Sequence, residues 1–227
     1  MVQCYDDFCG ELLAAGFSLG GGSDKGIYAI VPFDWTEQPE DTPVRWHTGE
    51  PDTDPWEWRM RVLEERSDIA YAKVFFRSSG YITKEWYPYF LAARRKGMTF
   101  DEAWEAGLVS DLARRIYRAA EQNGRVAMHD IKRLAGLSGE SSAHIEKAMT
   151  ELQMGMFLTI CGRAQKLDKY GQPYGWSSTV FCTPEEFWQG ESFPEIPPEK
   201  AAEAIRARVL ELNPEAQERK IKKFIYG

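Results

Sequence analysis

The chain has 227 residues, 43% of them hydrophobic, and a formal net charge of −7. That composition belongs to a folded globular protein with one or two cores, and it excludes disordered, fibrous and disulfide-knot classes. No apolar run approaches the ~20 residues that span a bilayer, and four cysteines do not make a disulfide framework.

The N-terminal stretch lacks a basic region followed by a continuous apolar one, so the expectation is a cytoplasmic protein with no membrane partner. The charge is unevenly spread: residues 1–58 hold twelve acids and two bases, and the remaining 169 residues sum to +3. An acidic chain is a poor non-specific polyanion binder, because phosphate neutralisation supplies most of that affinity. The mildly basic remainder leaves two readings open, a local nucleic-acid surface and a generic solvated one.

Taken in chain order, residues 17–19 and 26–33 are β-prone runs flanking Gly20-Gly21-Gly22-Ser23-Asp24-Lys25, a turn composition that predicts a hairpin. A phosphate-cradling loop is the alternative, but the Gly-Lys-Ser/Thr ending of a P-loop is missing. Residues 34–55, rich in acids and prolines, read as a long surface loop. Asp54 suits an N-cap and Pro55 a first helical position, with Trp58 and Val62 on one face, which predicts a helix over 55–66. Residues 69–76 fit either a strand or a helix. Residues 81–83 are extended, and Thr83 is expected to cap a helix over 85–96, stopped by Gly97. Together these form an N-terminal aromatic-rich α+β segment, residues 1–97.

Residues 98–190 are more regular. A short helix over 100–106 precedes a stronger one capped by Ser110, residues 111–122, with Leu112 and Ile116 on its apolar face. A short extended run at 126–128 leads to a helix over 129–135 and a turn at 136–139. Ser141 and Ser142 open a longer helix to about residue 153, burying Ile145, Met149 and Leu152. Two β-prone runs, 156–161 and 176–182, are joined by a polar, basic, turn-rich loop. Residues 191–227 complete the chain as C-terminal helices, the first over 201–212, the second over 215–224 with Arg219, Lys220, Lys222 and Lys223 clustered. That basic run reads as a solvated helix end or, with Ile221, Phe224 and Ile225 giving it an apolar side, as a docking helix.

Helix, short strand, helix, turn, helix and hairpin is the winged-helix order, in which the third helix enters the major groove and the hairpin forms the wing. The expected fold is therefore α+β: a winged helix-turn-helix domain, an N-terminal aromatic-rich segment and C-terminal helices. The candidate DNA-binding residues are Ser141, Ser142, His144, Lys147 and Thr150 on the third helix, and Arg163, Lys166 and Lys169 on the wing. They can hydrogen-bond to phosphates or base edges, and Tyr170 and Tyr174 are available to stack. Glu140, Glu146 and Glu151 oppose phosphate, and winged helices also serve as protein–protein modules, so both uses remain open.

The stretch Trp56-Glu57-Trp58-Arg59, the run from Gly80 to Phe90 (GYITKEWYPYF) and the winged-helix segment 110–182 together resemble the bacterial AlkZ-related proteins, distant relatives of the AlkZ (YcaQ-type) DNA glycosylases. The resemblance covers most of residues 45–190. It implies winged-helix architecture and double-stranded DNA as partner. The glycosylases of that wider family remove bulky alkylated or crosslinked bases and hold the attacking water with a Gln-x-Gln or Gln-x-Asp motif. No glutamine of this chain is followed two residues on by Gln or Asp; Gln38-x-Glu40 and Gln189-x-Glu191 come nearest. The family's catalysis is therefore not carried over.

Three functions follow: a DNA-binding protein connected with DNA repair, a diverged glycosylase, or a protein-binding winged helix, homodimers included. For the second, Asp52, Asp54 and Glu57 beside His47, Trp56 and Trp58 offer a carboxylate and an aromatic-lined pocket; the same residues also read as an acidic loop entering a helix whose tryptophans pack in a core. No catalytic motif, no cofactor motif and no metal site is recognised: Cys4-x4-Cys9 lacks zinc spacing and the three histidines are scattered. In a hairpin symmetric about 171.5, Cys161 and Cys182 sit opposite each other, expected as two buried thiols in a reducing compartment.

Overall fold

The computed structural model describes all residues, 1–227. In chain order the elements are α1 (Tyr5–Ala15), β1 (Phe17–Leu19), α2 (Pro55–Glu65), β2 (Ile69–Phe75), β3 (Ser78–Thr83), α3 (Tyr87–Arg95), α4 (Phe100–Glu105), α5 (Asp111–Asn123), β4 (Arg125–Ala127), α6 (Ile131–Leu134), α7 (Ser142–Met154), β5 (Thr159–Ala164), β6 (Ser178–Cys182), α8 (Pro184–Phe187), α9 (Pro198–Leu212) and α10 (Glu218–Tyr226). The protein is α+β. No helix is long and apolar enough to cross a membrane. The chain forms two compact units, residues 1–97 with 193–227, and residues 98–192.

The first unit is built on an antiparallel ladder in the order β1-β3-β2, with Phe17 opposite Ile82 and Tyr71 opposite Tyr81. Helix α1 buries Tyr5, Phe8, Leu12 and Ala15, one face at helical spacing, and stops at Gly16 in the left-handed region, whose N–H donates to Leu12 O. A β-carbon on Gly16 would run into the Trp86 indole, so only glycine serves there. The core is aromatic. Phe17, Phe75, Phe90 and Phe224 are each fully buried, with the Phe75 and Phe224 rings stacked at 4.1 Å and Phe17 and Phe90 edge-to-face at 5.4 Å. Phe224 comes from α10, whose Ile221 and Ile225 are buried beside it. The apolar side of α10 is thus core and not a free docking surface. Arg94 of α3 donates to Phe224 O and Ile225 O (2.9 Å each), satisfying carbonyls that the end of α10 leaves open.

Two local expectations fail in this unit. Residues 26–33 form no strand. β1 pairs with β3, more than sixty residues later, and only single bonds such as Leu19 N to Tyr28 O (3.1 Å) tie it to the following loop. Residues 25–27 form a turn and 30–31 a bend, so the segment runs beside β1 without a regular ladder. Thr83 caps nothing: it is buried as the last residue of β3, and α3 starts at Tyr87 after Trp86. Residues 69–75, open in the sequence, are strand.

The second unit contains the antiparallel ladder β5-β6-β4, with Arg125 opposite Cys182 and Ile160 opposite Phe181. Helix α5 packs against α7 and against this ladder. It buries Ala113, Ile116, Tyr117 and Ala120, and Ser110 caps it by accepting from Ala113 N. Phe100 stacks on Tyr117 at 3.6 Å and meets Phe157 edge-on. The order α5-β4-α6-α7-β5-β6 is compatible with a winged helix. α6 is shorter than the sequence suggests, one turn ended by left-handed Gly136.

Candidate nucleic-acid interface

Helix α7 begins at Ser141, whose hydroxyl accepts from His144 N (3.2 Å). Ser141 is therefore an N-cap, and capping occupies one acceptor position of its hydroxyl. Ile145, Ala148, Met149 and Leu152 form the buried stripe, leaving Ser142, His144, Glu146 and Lys147 exposed on the other side. Thr150 is half-buried and its hydroxyl donates to Glu146 O (2.9 Å), which turns its proton inward.

The acids that oppose phosphate are partly occupied. Glu151 accepts from both the N–H (2.7 Å) and the hydroxyl (3.0 Å) of Ser110, tying α7 to the start of α5. Glu140 lies 3.5 Å from His144 Nδ1. Two exposed cations that sequence reasoning left out, Lys132 and Arg133, sit on α6 just before α7; Lys132 Nζ donates to Glu140 O (3.3 Å) and Arg133 pairs with Asp130 (2.8 Å). Their signal was present in the sequence as a basic pair on the helix before the turn.

The β5–β6 hairpin carries Arg163 on β5, then Lys166 and Lys169 in its loop; Arg163 and Lys169 are exposed and Lys166 is half-buried. The loop is internally bonded. Asp168 Oδ1 accepts from Tyr170 N (2.8 Å) and Gln172 N (2.9 Å), Tyr174 N donates to Lys166 O (3.0 Å), and Gln165 Nε2 reaches Tyr174 O and Gly175 O (3.1 Å each). The one acid of the loop is thereby held by backbone donors. The structure gathers Ser141, Ser142, His144, Lys147 and Thr150 on one helix and Arg163, Lys166 and Lys169 on one hairpin of the same unit.

At the base of the hairpin, a bulge shifts the register between Ile160 and Gly162, so that Thr159, and not Cys161, faces Cys182. The pairing expected of a hairpin symmetric about 171.5 fails in two steps: above the bulge the ladder already pairs Gly162 with Val180, centred on 171, and the extra residue of the bulge shifts it once more. The two thiols, both free, still meet diagonally. The hydrogen bond from Cys182, with Arg125 nearby, draws Cys161 below the usual thiol value; the same bond and burial push Cys182 far up.

The alternative site in the first unit is built differently from a catalytic pocket. Asp54 is fully buried, its Oδ1 accepting from His47 N (3.1 Å) and Trp56 N (2.8 Å) and its Oδ2 from Gly49 N (2.9 Å). Every contact is backbone, so the carboxylate folds the loop onto α2. Trp58 is fully buried beside Phe8 (5.0 Å), and the Arg59 guanidinium covers Trp56 at 3.2 Å. Asp52 lies 3.5 Å from Arg61. No group of three His, Cys, Asp or Glu side chains gathers anywhere in a metal-binding arrangement.

The family described as "AlkZ related" matches residues 2–226. The chain belongs to the AlkZ-related family. No curated protein and no solved structure matches the chain. Membership of the AlkZ-related family covers both compact units, and the aromatic core of the first is as much a part of it as the hairpin-bearing second.

Proposed function

We propose that this AlkZ-related chain binds double-stranded DNA through its second unit, acting as a winged helix. In this reading residues 98–192 are the DNA-binding domain, α7 lies in the major groove, and the β5–β6 hairpin runs along phosphates. The observation that carries the reading is the element order α5-β4-α6-α7-β5-β6 with its exposed cations on α7 and on the hairpin. Within residues 111–182 ten Lys and Arg face seven Asp and Glu, against an acidic whole, and Glu151 and Asp168 are held by internal donors. Membership of the family supports duplex DNA as partner and a connection with DNA repair. The engaged state of Asp54 argues against base excision at residues 47–58. The location is the cytoplasm, where thiols such as Cys161 and Cys182 stay reduced.

The test is anisotropy of a labelled duplex over a salt series, with the native chain beside a Lys147→Glu/Lys166→Glu/Lys169→Glu variant. The slope of log affinity against log salt should fall by about one for each lysine that touches a phosphate, and stoichiometry distinguishes monomer from homodimer. Unchanged affinity and slope in the variant would refute this surface, and absence of binding at low salt would refute the function.

A further inference from the structure

The hairpin loop holds an unusual concentration of uncovered apolar side chains. Leu167 is 58% exposed, Tyr170 75%, Tyr174 54% and Trp176 92%. The chain has ten such exposed large apolar residues, and four of them lie within these ten positions. They are not the by-product of a loose loop. The Asp168 turn, the Leu167–Pro173 bridge and the Gln165 amide bonds fix the backbone, and Ser177 Oγ donates to Gln165 Oε1 (2.9 Å) at its foot. A fixed scaffold that keeps three aromatic rings in water leaves a hydrophobic free energy unrealised until something covers them.

The charge of the loop selects what covers them. Arg163, Lys166 and Lys169 lie on the outgoing limb and the rings of Tyr170, Tyr174 and Trp176 on the tip and the returning limb, where Tyr174 N donates to Lys166 O (3.0 Å); Lys169 Nζ lies 4.8 Å over the Tyr170 ring, and the lone acid, Asp168, accepts from the loop's own backbone. Cations on one limb beside rings on the other match a strand of nucleic acid, whose bases stack on aromatic faces while its phosphates meet the cations. In an intact duplex the base faces are covered by their neighbours, so rings like these can stack only where bases are unpaired or displaced.

We propose that the β5–β6 hairpin is a stacking platform for unpaired bases, and that the protein prefers DNA containing them to a perfectly paired duplex. The proposal rests on the reading of the second unit as a DNA-binding domain and names its substrate class.

The experiment compares three labelled probes at one salt concentration: a perfect duplex, the same duplex with a short bulge, and one of its single strands. The native chain is measured beside Trp176→Ala and Tyr170→Ala/Tyr174→Ala, whose side chains are exposed enough to leave folding intact, with circular dichroism as the check. The native chain should bind the bulged duplex and the single strand more tightly than the perfect duplex. Each ring lost should weaken binding to those two probes by about five- to a hundred-fold while leaving the perfect duplex nearly unchanged. Equal affinity of the native chain for all three probes overturns the proposal and leaves duplex binding standing. A preference that survives in both variants also overturns it, since the rings would not be its source. Failure to bind any probe overturns duplex binding and this proposal together.

Discussion

Phe224 of α10 offers the sharpest test of how the first unit is held together. Its side chain is fully buried, stacked on Phe75 at 4.1 Å, 5.3 Å from Phe17 and 5.6 Å from Phe90. Replacing it with alanine removes a ring from the centre of a cluster drawn from β1, β2, α3 and α10, elements that cannot all close on the gap. Phe→Ala in such a position costs about 3–5 kcal/mol, transfer and cavity together. The upper end is expected, because α10 is nine residues long and its remaining anchors are Ile221, Ile225 and the Arg94 bonds. With a urea dependence of about 2 kcal/mol/M, the midpoint of unfolding should fall by about 1.5–2.5 M. Far-UV circular dichroism across a urea series reads this directly, with Leu13→Ala, an exposed site, as the control that should barely move. A Phe224→Ala loss below about 1 kcal/mol would refute the packing of α10 into this core.

Gly16→Ala should lower stability by about 2–4 kcal/mol, since the residue has φ +92° and its β-carbon would meet Trp86; a thermal midpoint equal to the native one would contradict this. Asp54→Ala leaves three N–H groups without their acceptor and should cost at least about 3 kcal/mol. A stable Asp54→Ala chain that had lost a DNA-dependent activity would instead make that carboxylate functional. Cys161 should be alkylated faster than Cys182, and its rate should rise at a lower pH than that of an unperturbed thiol. Its value is depressed by the Cys182 bond, so the reactive thiolate fraction appears earlier. Mass spectrometry after iodoacetamide at stepped pH resolves the two, and equal rates would refute the assigned asymmetry.

The elements legible in the sequence are those with local signals. Asp54-Pro55, Ser110 and Ser141 mark helix starts by their own side-chain chemistry, and α2, α5 and α7 begin where those residues say. The helix α1 has no such mark: Cys4 precedes it and makes no side-chain cap, and Gly10 interrupts its pattern. The partner of β1 is a non-local choice. A glycine-rich turn predicts a local hairpin, but burial of Phe17 against Phe90 and Phe224 favours β3. The bulge beside Cys161 is a property of two paired strands, and its one local trace is Gly162, at φ +144°, a glycine inside a strand run. On the candidate interface, residue types and helix face could be read in advance. That Glu151 and Asp168 would be drawn into internal bonds, and that Trp176 would stand in solvent, depended on neighbours set by tertiary structure.

Amide hydrogen exchange of the whole chain, with and without a short DNA carrying a bulge, tests the location of the DNA surface most directly. Exchange should slow on residues 141–150 and across the hairpin loop 163–177, with the loop around Asp54 unchanged. Protection confined to the first unit, or none on α7 and the hairpin under conditions where binding is saturated, would contradict that location.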